Sequence, residues 1–80
     1  MRKIHELLLK FRYDTRYAFS RVQVCYIDRG APGNQSCVSG DQILALNAGH
    51  MEIASDWGVK YIPYHRIIKI LYTSEVVWDR

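Results

Sequence analysis

Between residues 2 and 12, apolar side chains recur at Ile4, Leu7, Leu8 and Phe11, the i, i+3, i+4, i+7 spacing of one helical face. Arg2, Glu6 and Lys10 fall on the other side, so the pattern predicts an amphipathic helix, with Asp14 and Thr15 suited to its exit. The pattern then changes period. Residues 19–29 are rich in Val, Tyr and Ile and read as a strand with both faces partly covered. Residues 30–41 hold Gly30, Pro32, Gly33, Asn34, Ser36, Ser39 and Gly40, which predicts a long loop with a short extended piece near Cys37 and Val38. Residues 43–46 and 50–54 read as short strands around Asn47-Ala48-Gly49, a hairpin in which glycine is expected at φ > 0. A turn at 55–58 leads to strands at 59–62, 67–72 and 75–78, with Thr73-Ser74 reversing the chain between the last two.

One helix followed by short strands in sequence predicts an α+β domain. Short turns between consecutive strands favour antiparallel pairing, so the expectation is an N-terminal helix and a mostly antiparallel five- or six-stranded sheet. A meander this small can curl into a partly open barrel, with the helix over one end or face.

Composition sharpens the picture in three ways. A chain of 80 residues suits one domain, 1–80, and its 49% hydrophobic content is ample for a core. No apolar run approaches the roughly 20 residues that span a bilayer. The start, Met1-Arg2-Lys3, is followed by Glu6 and Lys10 within the apolar stretch and by no small-residue cleavage site, so a signal peptide is not expected and the chain reads as cytoplasmic. Net charge is +3, and residues 1–21 hold six basic and two acidic side chains, a local +4 on a nearly neutral remainder. Such a segment fits a polyanion, though a solvated basic face with no partner accounts for it equally simply. Cys25 and Cys37 lack the spacing of a zinc site, and no phosphate-cradling glycine motif occurs, so neither metal nor cofactor is expected. Cys25 lies in an apolar strand and Cys37 in a loop, and whether they pair is left open.

The candidate chemistry concentrates in Ile62-Pro63-Tyr64-His65-Arg66-Ile67. Proline ends or bends a strand, which places Tyr64, His65 and Arg66 on a short turn between apolar strands. A guanidinium forks onto phosphate oxygens and an imidazole can donate or accept beside it. Neighbouring strand residues face opposite ways, so both reach one ligand only if the backbone turns here. The structural alternative is a histidine capping a carbonyl and Arg66 paired with Asp79 or Asp28. Asp28 and Arg29, at a strand end before the Gly/Pro loop, either join the same pocket or form an ion pair. Arg12 and Tyr13 follow the helix, where Tyr13 either packs or stacks on a base. Trp78 reads as core, and Asp79 as a carboxylate orienting His65 or Arg66. Trp57, in a polar turn, is expected as a loop anchor, with a base platform as the alternative.

Taken together and in order, Arg12-Tyr13-Asp14, Phe19 with Val22 to Asp28-Arg29, Pro63-x-His65-Arg66-Ile67 and Val77-Trp78-Asp79-Arg80 resemble the RNA cyclic group end recognition domain family, a small archaeal family with eukaryotic relatives. The resemblance spans essentially the whole chain, least distinctively at residues 34–58. It implies binding of RNA 3′ ends that carry a 2′,3′-cyclic phosphate or a similar group. It also implies work beside RNA ligase or cyclic phosphodiesterase relatives in RNA repair or processing.

Binding rather than catalysis is the expectation. The histidines read His5-Glu6-Leu7, His50-Met51-Glu52 and His65-Arg66-Ile67, without the His-x-Ser/Thr pair of two-histidine phosphoesterases. A small RNA-end phosphodiesterase or ribonuclease using His65 and a second histidine as general acid and base has His50 as its one reasonable candidate for the second, and that residue lacks the motif context. A protein-interaction adaptor, recruiting its partner along an edge strand, is the other alternative. The sequence specifies no oligomeric state.

Overall fold

The computed structural model describes residues 2–80; Met1 and the side chain of Arg2 lie outside it, and with them the outward placement expected of that arginine. Helix α1 (Arg2–Tyr13) turns Ile4, Leu8 and Phe11 into the core and leaves Lys3, Glu6 and Lys10 in solvent, as its periodicity dictates. Seven strands follow among the described residues: β1 (Val22–Ile27), β2 (Gln35–Ser39), β3 (Ile43–Leu46), β4 (His50–Ser55), β5 (Gly58–Pro63), β6 (Ile67–Tyr72) and β7 (Glu75–Asp79). They form two antiparallel sheets, ordered β2-β1-β6-β7 and β3-β4-β5. The α+β class holds. The single five- or six-stranded sheet and its curling into a barrel do not, because no ladder joins β2 to β3 or β5 to β6. Instead a 3₁₀ turn breaks the chain at each of those places, Gly40–Gln42 and Tyr64–Arg66, and carries it from one sheet to the other.

The helix and the inner faces of both sheets share one hydrophobic cluster. Val22, Val24, Tyr26, Ile67 and Ile70 meet Met51, Ile53 and Ile62 across it, and all are at most 4% exposed. On β1, Val22, Val24 and Tyr26 point one face into the core, while Cys25 between them is covered on the other face. The end of α1 is held by aromatic packing. Phe11 stacks on Tyr72 at 5.1 Å, Tyr17 meets both rings edge-on, and the Tyr72 hydroxyl accepts a hydrogen bond from Ala18 N at 2.9 Å.

Three local expectations are corrected. Residues 19–21 form a 3₁₀ turn, so the first strand begins at Val22 rather than Phe19. The supposed long loop contains a full strand, β2, whose pairing with β1 overrides its polar, turn-rich composition. Cys25 and Cys37 are register partners in that pair, with Cα atoms 4.0 Å apart, and form a disulfide. Gly49 does not take a positive φ; the hairpin turns instead with the Asn47 amide donating to His50 O at 2.9 Å, and positive φ falls at Gly58 in the next turn.

Candidate RNA-end site

Pro63, at φ −61° and ψ 142°, ends β5 and starts the 3₁₀ turn Tyr64–Arg66, which the Ile67 amide closes by donating to Tyr64 O. This is the backbone reversal that adjacent side chains need in order to share one ligand. Two anchors hold the turn in place. Tyr64 is buried to 1% exposure, donates its hydroxyl to Asn47 O at 2.5 Å, and stacks on His5 at 5.4 Å. Arg80 donates from Nε to Ile67 O at 2.7 Å and from Nη2 to His65 O. With Tyr64 drawn inward and the carbonyls satisfied from behind, His65 and Arg66 are left exposed.

Both line a cleft of about 500 Å3 whose other wall is Ile27, Asp28 and Arg29, at the end of β1. That volume lies in the range of small-ligand sites. Among the described residues, the side chains of His65, Arg66 and Arg29 have neither hydrogen bond nor ion pair within the protein. Asp28 is committed elsewhere: its Oδ2 accepts from Ser36 Oγ at 2.6 Å and lies 3.6 Å from Lys60 Nζ. The Ser36 hydroxyl, and then the nearby Lys60 and Arg66 charges, hold the Asp28 carboxyl below its ordinary pKa. Asp28 therefore pairs with neither Arg29 nor Arg66 and leaves both guanidinium groups available. Its backbone also braces the loop that carries Arg29, donating to Asn34 O at 2.9 Å and accepting from Ala31 N at 3.2 Å.

The structure thus unites His65, Arg66, Arg29 and Asp28 and separates the other candidates. Tyr64 is buried, its hydroxyl is engaged by Asn47 O and it does not line the cleft, so it fixes the turn. Arg12 donates to Ile43 O at 3.5 Å and lies over the Phe19 ring at 5.4 Å, and it does not line the cleft. Tyr13, 73% exposed, packs beside Arg12 rather than at the cleft. Trp78 packs on the core from β7, with the Arg80 guanidinium 5.9 Å from its ring. Asp79 is opposite Lys69 in the β6–β7 ladder and touches neither His65 nor Arg66. Trp57 is no anchor at all, being 99% exposed. Sequence reasoning missed Ser36, Lys60 and the backbone clamp by Arg80. Ser36 and Lys60 reach Asp28 from different strands, and no local spacing announces either contact.

The remaining histidines are held elsewhere. His50 approaches Asn47 Nδ2 at 3.1 Å and meets Tyr61 edge-on, while His5 lies against Tyr64. A cleft with two free guanidinium groups and one imidazole is suited to gripping an anion with several oxygens. No helix among the described residues is long and apolar enough to cross a membrane, and no cluster of His, Cys, Asp or Glu there could hold a metal ion.

Known proteins agree with the sequence resemblance. The chain is 48% identical over 71 residues to a UPF0248 protein of Archaeoglobus fulgidus, covering 89% of this chain and 96% of that protein. It is 35% identical over 66 residues to a UPF0248 protein of Pyrobaculum calidifontis, covering 81% and 86%. A UPF0248 protein of Thermococcus gammatolerans is 34% identical over 83 residues, covering 100% and 94%. No solved structure matches. The family model described as MJ1316 RNA cyclic group end recognition domain matches residues 1–80, and the chain belongs to that family.

Proposed function

We propose that this chain is a non-catalytic RNA-binding module that recognises RNA 3′ termini bearing a 2′,3′-cyclic phosphate or a similar group. The observation that carries this reading is the cleft in which His65, Arg66 and Arg29 face one space without polar partners. The two guanidinium groups supply charge and fork geometry for phosphate oxygens, and His65 supplies a hydrogen bond to a ring or terminal oxygen. The name of the family describes recognition of the same chemistry. Among the described residues one imidazole lines the cleft, beside an Asp28 carboxylate that Ser36 and Lys60 engage, so a two-histidine acid–base relay has no second imidazole there. In this reading the module is a single domain that works in the cytoplasm beside RNA ligase or phosphodiesterase enzymes in repair or processing.

The test is direct binding of matched short RNAs ending in 2′,3′-cyclic phosphate, 3′-phosphate or 3′-hydroxyl, with the cyclic end monitored for turnover. Preference for the cyclic end without consumption supports the reading. Equal affinity for all three reduces it to general RNA binding, and consumption makes the protein an enzyme. His65→Ala and Arg66→Ala should each remove about 1–3 kcal/mol of end discrimination while the fold is retained. One observation favours an adaptor instead: Val59 and Tyr61 of edge strand β5 are 47% and 60% exposed beside the open Trp57. Binding that survives high salt would favour the adaptor, since contact through several cations weakens steeply with salt.

A further inference from the structure

The cleft lies at one end of β1, and a second, polar recess of about 380 Å3 lies at the other, lined by Ser20, Arg21, Val22, Gln23, Ser39, Thr73 and Ser74. The side chains of Arg21, Ser20 and Ser74 have no hydrogen bond or ion pair within the protein among the described residues, while the Ser39 hydroxyl is engaged by Asp41. Within the basic N-terminal segment Arg21 and Lys3 both lack an internal polar partner among the described residues, and Arg21 is the one that lines this recess. Arg16 is spent on Asp14, to which its Nη2 donates at 2.7 Å, Arg12 on Ile43 O, and Lys10 lies over the Tyr17 ring.

Each recess is bordered by an exposed residue of β1. Val22, Val24 and Tyr26 point into the core, so Gln23, Cys25 and Ile27 share the outer face, on which Gln23 and Ile27 are exposed and Cys25, at 2%, is covered. Gln23 borders the second recess and Ile27 the first. Between them lies the Cys25–Cys37 disulfide, whose Cys37 half is exposed, with Lys69 of β6 opposite Cys25 and Leu71 opposite Gln23. Asp79 is beyond Lys69, on the side away from β1. Four strand steps separate Gln23 from Ile27, about 13 Å, close to the rise of about four stacked nucleotides. We propose that, with the terminal group held at Arg29, His65 and Arg66, the single-stranded RNA body runs 5′-ward along the outer face of β1, its phosphates passing Lys69 and reaching Arg21. The inference rests on the end-recognition reading and extends it from a terminal group to a defined strand. The ligand class is then a single-stranded 3′ tail of about four to six nucleotides rather than a cyclic nucleotide or a flush duplex end.

The experiment compares a dinucleotide and a hexanucleotide, both ending in 2′,3′-cyclic phosphate, by calorimetry across a salt series and by amide shift mapping. The expected result is tighter binding of the hexanucleotide, with a slope of log affinity on log salt steeper by about 1.4, as two further single-strand phosphate contacts require. Amides of residues 20–23 and 73–74 should shift with the hexanucleotide. Arg21→Ala should lower the hexanucleotide-to-dinucleotide affinity ratio about fivefold and return about 0.7 of the slope, and Lys69→Ala should do likewise. Equal affinity for both lengths, or an unchanged ratio in Arg21→Ala, overturns the RNA path and leaves end recognition standing. Failure of both RNAs to bind overturns the two together.

Discussion

Tyr64 and Arg66 show how two residues of one short motif come to do different work. Both sit in the turn after Pro63, yet burial takes one and leaves the other. Burial also pushes the Tyr64 hydroxyl up to about 12 from 10.0. A group whose folded pKa is raised contributes stability below its unfolded pKa and loses it as pH rises toward the folded value. Stability should therefore fall between pH 10 and 12, and Tyr64→Phe should flatten that part of the profile. At neutral pH the same change should cost about 1 kcal/mol in denaturant unfolding, because Asn47 O loses its donor. Asp28 has the opposite sign. Its pKa is lowered, first by Ser36, so its contribution is present above the ordinary carboxylate range and is lost as pH falls through the lowered value. Ser36→Ala should move the Asp28 carboxyl titration, followed by NMR, back upward. The proline and the His-Arg pair were enough to foresee the turn. That Tyr64 would be its anchor and Ser36 the partner of Asp28 was not foreseeable, since each contact joins residues from different segments of the chain.

The 3₁₀ turns Gly40–Gln42 and Tyr64–Arg66 carry the chain between sheets, and the first depends on close backbone contact. At Gly40 an added Cβ would sit 1.8 Å from Phe19 O, so the turns Phe19–Arg21 and Gly40–Gln42 touch at a point with no room for a side chain. Gly40→Ala should cost about 3 kcal/mol or more, or abolish folding, read as a loss of cooperative thermal unfolding. The amphipathic helix was legible because it carries its period without interruption, and β6 because it is an apolar, isoleucine-rich run, even though its pairing with both neighbours is irregular. Strand β2 was not, because Gln35, Ser36 and Ser39 look like loop residues and become a strand only where β1 offers a ladder. The same pairing decided the cysteines.

Across the whole molecule, the Cys25–Cys37 disulfide spans 12 residues and closes the loop bearing Arg29. Reduction, or Cys25→Ala with Cys37→Ala, should remove about 2–4 kcal/mol, and a change of about 1 kcal/mol moves the Tm by roughly 4–8 °C in a chain of this size. Thermal unfolding with and without reductant checks it, and weaker end binding by the reduced form would tie the loop to the site. Charge shows the same dependence on the assembled fold. The +4 of residues 1–21 could be counted from the chain, but the availability of Arg21, and the loss of Arg12 and Arg16 to internal contacts, follow from packing. The α+β class, the amphipathic helix, the corner after Pro63 and the family follow from the order of residues, because periodicity, proline geometry and motif spacing are local properties. The division into two sheets, the disulfide, the inward Tyr64 and the meeting of Arg29 with His65 and Arg66 follow only from the folded molecule, because each brings together residues far apart in sequence whose contact no local pattern encodes.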